Sequence, residues 1–405
     1  MNVSFKGRIV QVTESLTCQD AVSNHVLSLH RLFTALGLRS EVYSQAHDAE
    51  LQSQRLPLEA LRLDETDVVL FHFCGRSANA LPLVLQSYCT RILQFHNVTP
   101  ASFFPATSPL HGFCVEARQQ LEASVKHFHR VWADSQFNLD ELLALGAKPQ
   151  HASVVPIIVD APPAARAPAE RTRGTWLFVG RVAPNKQQVD LVRLFAQARH
   201  ESPDVAQGLI LVGGHEAADP YHQELVDTIK SCGVSPFVRL AGAVPDVERE
   251  WLYRSASVYV SLSEHEGFGV PLIEAAARGL PVVALDTTAV GETLGISDGL
   301  VAKRSEVLPL IRRLHADDAF RAALVQQQQD NTQRFLPESV ASALVQALCS
   351  VLPRGQPYRT VSVVICAYNR KDHLERALDY LRHQRSPAFE VIVVDGPSEI
   401  GRAHV

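Results

Sequence analysis

The chain reads as an α/β protein with two doubly wound domains in succession and a short incomplete α/β segment at its carboxyl end. Three observations predict this. Short β-branched runs alternate with longer amphipathic stretches from end to end, the pattern of parallel strands covered by helices. The 405 residues exceed what one hydrophobic core normally organises. Proline-rich breaks interrupt the alternation twice, at 160–174 and at 351–360.

In the first domain, 1–159, β-rich runs at 8–12, 40–43, 67–73, 91–96, 131–133 and 153–155 predict strands, and helical patterns fall near 21–36, 113–127 and 136–145. The break DAPPAARAPAERTRG follows, where Pro162, Pro163 and Pro168 fix φ and remove backbone donors, so it reads as a linker. The alternation restarts in a second domain, 175–350, with TWLFVG, GLILVGG, FVRLAG, SVYVSLS and LPVVAL. Beyond LPRGQPYRT, a third start over 361–398 holds VSVVICAYNR, a helix over 371–383 and FEVIVVD, too little apolar surface to fold independently. The last seven residues, EIGRAHV, break the pattern and match what a sequencing-library adapter encodes in one frame; 399–405 is set aside as an artefactual tail.

Composition narrows the function. Apolar residues make up 46% and charged residues 20%, which excludes disordered and collagenous classes. With 38 basic against 43 acidic side chains, a net of −5, nothing global favours nucleic acid. The seven cysteines form no C-x-x-C pair and are odd in number, so core thiols in a reducing compartment are expected. No secretory apolar region opens the chain and no apolar run reaches membrane-spanning length, which predicts a cytoplasmic protein.

The stretch most informative about chemistry is SLSEHEGFGVPLIEAAARGLP, 261–281. A strand ends there, a loop carries Glu266, Gly267, Phe268 and Gly269, and a helix is expected from Pro271. No Ser, Thr, Asp or Asn stands between Phe268 and Val270 to cap that helix, so its first amides are free for water or for an anion. Glu266 and Glu274 could bracket a ligand by accepting hydrogen bonds from its hydroxyls; taken singly, Glu274 equally suits the helix dipole. Two acids beside a phosphate need cations. TWLFVGRVAPNK supplies them, with Gly180 and Arg181 at a strand end and Lys186 five positions on, on the rim where open α/β sheets bind ligands.

FVGR with its following lysine, then LVGG, then SEHEGFGVPLIEAAARGLPVVA resembles the donor domain of retaining glycosyltransferases of family 4, which have the two-domain GT-B fold. The resemblance spans roughly 5–350 and is strongest over 175–295. It implies that Arg181 and Lys186 bind the donor diphosphate, that Glu274 holds the ribose hydroxyls and Glu266 lies against the transferred sugar. Val244, within Gly242 to Pro245, falls where such folds recognise the base through backbone groups. The first domain would bind the acceptor and close over the donor. His96 in QFHNVTP and His72 in LFHFCGRSAN end strands and are expected to face the cleft, His96 reaching the donor sugar. Asp20, Asn24 and His25 lie in the loop after the first strand, where relatives often carry glycines that are missing here; Asp20 could equally cap the next helix. The third start resembles the opening of a family 2 glycosyltransferase of the GT-A fold, with Asp395 at the nucleotide-holding acid; without its later motifs it is expected to be inactive.

The resemblance therefore implies an enzyme that moves a sugar from a nucleotide-diphosphate donor to a saccharide or lipid-linked acceptor with retention, in cell-surface polysaccharide or glycan biosynthesis. It would need no resident cofactor and no metal, since neither D-x-D nor H-E-x-x-H occurs. A cytoplasmic place at the inner face of the membrane follows, with peripheral association. Two alternatives share the diphosphate site: a GT-B sugar-nucleotide epimerase and a non-catalytic sugar-nucleotide-binding scaffold.

Overall fold

The computed structural model describes residues 5, 7–18, 20–160, 171–295, 297–349, 351, 361–367, 371–382 and 389–395. The expected linker core, 161–170, and the tail 399–405 lie outside them. A parallel sheet forms in each of the two expected doubly wound domains. The first has seven strands: β1 (Ile9–Leu16), β2 (Ser40–His47), β3 (Leu56–Pro57), β4 (Val68–Phe73), β5 (Thr90–Phe95), β6 (Arg130–Ala133) and β7 (Ala152–Val154), in the order β3-β2-β1-β4-β5-β6-β7. The second has six: β8 (Thr175–Val179), β9 (Gly208–Val212), β10 (Val238–Gly242), β11 (Val258–Ser261), β12 (Val282–Leu285) and β13 (Leu300–Val301), in the order β10-β9-β8-β11-β12-β13. Each order reverses beside the first strand, the switch point at which such sheets open a crevice beyond their carboxyl ends.

Central strands are buried on both faces, as the fully buried β4, β11 and β12 show, so their sequences are continuous apolar runs rather than alternating ones. Helices α1 (Ala21–Ala35), α2 (Ala80–Leu85), α3 (Pro109–Ser124) and α4 (Gln136–Ala144) belong to the first domain. In the second are α5 (Gln188–Glu201), α6 (Pro220–Ser231), α7 (Asp246–Ser255), α8 (Val270–Ala277) and α9 (Val290–Leu294). Helix α3 begins four residues before the expected 113, because Ser108 caps it and Pro109 fits its first turn.

One segment departs from the expected partition. The helix Pro337–Cys349 lies within 175–350 by sequence, yet its Val340, Leu344, Ala347 and Leu348 pack with Ile9, Leu29 and Phe33 of the first domain. The chain crosses back because the apolar face of that helix finds its complement on α1 and β1. At the carboxyl end, β14 (Val361–Ala367) and β15 (Phe389–Asp395) pair in parallel, with a helix over Lys371–Arg382 between them.

Candidate active site

A cleft of about 1300 Å³ opens between the two domains beyond the strand ends. Gly180 and Arg181 after β8, Gly213 and Gly214 after β9, and Val244 after β10 line it, together with Val270 and Glu274 of α8 and Asn24 of α1. Backbone crowding makes Gly213 necessary: a Cβ there would stand 2.1 Å from the Gly180 carbonyl oxygen. Tyr259 anchors the end of β8, its hydroxyl donating to the Val179 carbonyl at 3.0 Å. Buried Gln188 then holds the Arg181 carbonyl through Nε2 at 2.8 Å, shaping the turn that presents the exposed arginine.

Helix α8 starts at Val270, one residue before the expected Pro271. Gly269 precedes it at φ +92°, and no side chain caps the helix. Its first amides thus keep the positive end of the dipole open at Val270, on the cleft wall. Glu274 is set by Tyr253, whose hydroxyl donates to Oε2 at 2.8 Å, while the Arg249 guanidinium stands 3.9 Å from Oε1. Burial holds the Tyr253 phenol well above its usual range, with the Glu274 charge adding to it, so this donor stays protonated.

Lys186 and Glu266 meet each other. The Lys186 ammonium donates to both carboxylate oxygens of Glu266 at 2.6 Å, with side-chain exposures of 21% and 14%. Pro184 and Gln187, flanking the lysine, line the cleft. Thr288 fixes the Glu266 backbone, accepting from its N–H and donating to its carbonyl, both at 2.9 Å.

Two loop residues serve a different purpose from the one the sequence suggests. A Cβ on Gly267 would stand 2.4 Å from Asn97 Cβ, so this glycine admits the opposite domain rather than a ligand. Phe268 is buried, edge-on to Phe335 with centroids 5.0 Å apart, and belongs to the core.

The first-domain histidines correct the expectation that they face the cleft. His72 is 2% exposed, and the His96 side chain is 0% exposed. His96 Nδ1 bonds Asp134 at 2.9 Å, His96 Nε2 bonds His72 Nδ1 at 2.9 Å, and His72 Nε2 bonds Gln11 at 3.0 Å. His25 is sealed beside them and accepts from the Ile158 N–H at 3.2 Å. Burial pushes both His25 and His72 well below the usual histidine range, with the neighbouring His96 adding to the effect. Polar partners inside the sheet drew these rings inward. Asp20 caps α1, accepting from the Ser23 N–H at 2.8 Å; Asn24 and His25 lie on that helix rather than in a loop, and of the three only Asn24 lines the cleft.

A residue the sequence reading passed over joins the domains. Asn97, at φ +76°, accepts from His265 Nε2 at 2.8 Å and donates to Asn138 at 2.7 Å. Ser135 donates to the Gly267 carbonyl at 2.8 Å, and the Glu292 carboxylate accepts the Gln136 N–H at 2.7 Å, capping α4 from the other domain. The loop carrying Glu266 is therefore held from across the cleft. The available signal was an asparagine directly after a strand-end histidine, a residue type that tolerates the left-handed conformation. Among the described residues, no group of three or more His, Cys, Asp or Glu is arranged to hold a metal ion.

Residues 173–317 match the family described as glycosyl transferases group 1. A second match, to glycosyl transferase family 2, covers 362–403 and thus reaches into the tail set aside above. The D-inositol 3-phosphate glycosyltransferase of Kineococcus radiotolerans is 33% identical over 229 residues, 53% of this chain and 51% of that protein. O-antigen chain mannosyltransferase B of Escherichia coli is 31% identical over 175 residues, 43% and 42% of the two chains. The chain spans about half the length of these curated relatives. Anabaena HepE in complex with UDP and glucose matches with a TM-score of 0.68 at 18% identity, covering 85% of this chain and all of that one. Sucrose-phosphate synthase from Thermosynechococcus elongatus gives 0.66 at 16%, covering 86% and all of the two. These likenesses establish the GT-B fold, and the sequence relatives are glycosyltransferases. No described helix is long and apolar enough to cross a membrane.

Proposed function

We propose that the chain is a glycosyltransferase of family 4 that moves a hexosyl group from a nucleotide-diphosphate sugar to a saccharide or lipid-linked acceptor, with retention and without a metal. The carrying observation is that Arg181, Glu274 and the uncapped start of α8 face one cleft, with the Lys186–Glu266 pair beside it. Arg181 and the α8 amides meet the diphosphate, stabilising the charge that grows as the bond from the sugar to phosphate breaks. Lys186 exchanges its contact with Glu266 for a phosphate oxygen and frees the carboxylate to accept from sugar hydroxyls. Glu274, oriented by Tyr253, accepts from the ribose hydroxyls. The acceptor oxygen bonds to the anomeric carbon on the face the diphosphate leaves, and its proton passes to the departing phosphate. The name of the O-antigen chain relative favours a role in polysaccharide assembly, which we place at the cytoplasmic face of a membrane.

HepE was solved with UDP, so uridine donors come first. A thermal-shift screen of nucleotide sugars should show one class raising the melting temperature, and that donor should be consumed with release of its nucleoside diphosphate. A protein that no nucleotide sugar stabilises and that consumes none contradicts the proposal.

A further inference from the structure

The two walls of the cleft differ in charge. The carboxyl-terminal wall includes Arg181, Asp190, Arg193, Glu216, Asp219 and Arg249. The opposite wall, among the described residues, contains no Asp, Glu, Lys, Arg or His. It consists of Cys18, Ala21 and Asn24, and of the segment from Phe103 to Leu110 that leads into α3. The Cys18 thiol is pushed up by desolvation and by Glu50 and Asp48, so it too stays neutral.

We infer that the acceptor enters against this wall as an uncharged saccharide whose ring lies on Phe103, and that it carries no phosphate or carboxylate within the cleft. The inference rests on the transferase reading above and adds the class of acceptor. Phe103 is half-buried, and its ring centroid stands 5.9 Å from that of His265, the residue before Glu266. A sugar stacked there lies next to the reacting end of the donor. A sugar ring presents C–H groups to an aromatic face and hydroxyls at its rim, and this wall provides that combination. Ser108 Oγ is used at 3.2 Å by the Leu110 N–H, whereas the Thr107 side chain is exposed.

Apart from Arg181, the arginines lining the cleft are already engaged by acids. Arg193 pairs with Asp190 at 2.8 Å, and Arg249 pairs with Asp246 at 3.1 Å. Arg181 is the cation the donor diphosphate requires. Glu216, Asp219 and Glu224 across the cleft would repel a second anion.

The experiment uses the donor found by the thermal-shift screen. Transfer is measured to a neutral glycoside and to the phosphate ester of the same sugar, with donor hydrolysis followed in the absence of acceptor. The neutral glycoside is expected to have a kcat/KM at least about tenfold higher. Phe103→Ala should raise the acceptor KM by about tenfold with a smaller change in kcat. Thr107→Arg, at an exposed position, should place a cation on the neutral wall and shift the preference toward the phosphorylated acceptor. If the donor is hydrolysed but the phosphorylated sugar is used as well as or better than the neutral one, the inference is overturned and the transferase reading stands. If no nucleotide sugar binds or is hydrolysed, both fall together.

Discussion

Two clusters at the carboxyl ends of strands in this molecule contrast with each other. After β8 and β11, Arg181 is exposed and the Lys186–Glu266 pair keeps partial access to solvent. At and after the ends of β4 and β5, His72 and His96 are enclosed by Gln11, Asp134 and each other. Strand-end position is the same in both, yet one cluster is available to a ligand and the other is not. A strand end puts a side chain near the crevice; the hydrogen-bond partners offered by neighbouring strands decide whether it turns in. Gln11 on β1 and Asp134 after β6 offer such partners, whereas Arg181 stays exposed.

That contrast can be tested by substitution, beginning with the open cluster. Glu266→Gln or Lys186→Ala should each lower transfer by about 10²- to 10³-fold, because on the proposed mechanism each removes a charge from the reacting centre. Their melting temperatures should stay close to that of the parent protein. Equal turnover in both variants would break the contrast from the chemical side.

The seam between the clusters comes next. Asn97→Ala removes the contacts to His265 and Asn138 and should lower kcat by about tenfold to a hundredfold through misplacement of the Glu266 loop. Nucleotide affinity, measured by titration calorimetry, should change little, since Arg181 and Glu274 remain in place. A loss in affinity with kcat preserved would place Asn97 in donor binding instead.

For the enclosed cluster the expected effect is on stability. Asp134→Asn leaves the His96 and Gln94 partners short of a charged acceptor and should cost about 2 kcal/mol in urea unfolding. An unchanged unfolding midpoint, with transfer lost, would return His96 to the chemistry.

The smallest effect is on the pH profile. Burial holds His25 and His72 well below 6.5 and His265 at about 4. These groups are neutral when folded and bind protons more readily when unfolded. Their contribution is complete above pH 6.5 and declines as pH falls from there toward the folded values. The urea midpoint should therefore be lower at pH 5.5 than at pH 7.5. Equal midpoints would contradict the sealed histidines.

Much of the fold was legible because a doubly wound sheet writes itself locally: five of the second sheet's strands coincide with five short apolar runs. The edge strands β3 and β13, two residues each, carried no run long enough to see. The open cluster was legible because Arg181 follows a strand directly and Gly269 precedes an uncapped helix, both local properties. Asn97 and Tyr253 were not, because each works through a partner well removed in sequence: Asn97 and His265 are 168 positions apart, Tyr253 and Glu274 21.

By itself the sequence determined the alternation of strands and helices, the glycine loop before α8, and which side chains could supply cations and acids. Such features depend on neighbours within a few residues, through backbone propensity and periodicity. Only the tertiary structure decided that His72 and His96 turn inward, that Gly267 yields to Asn97, that Lys186 and Glu266 pair, and that Pro337–Cys349 returns to the first domain. Those outcomes depend on which polar group or apolar face another part of the chain brings within reach, and burial makes an unpaired polar group too costly to leave unmet.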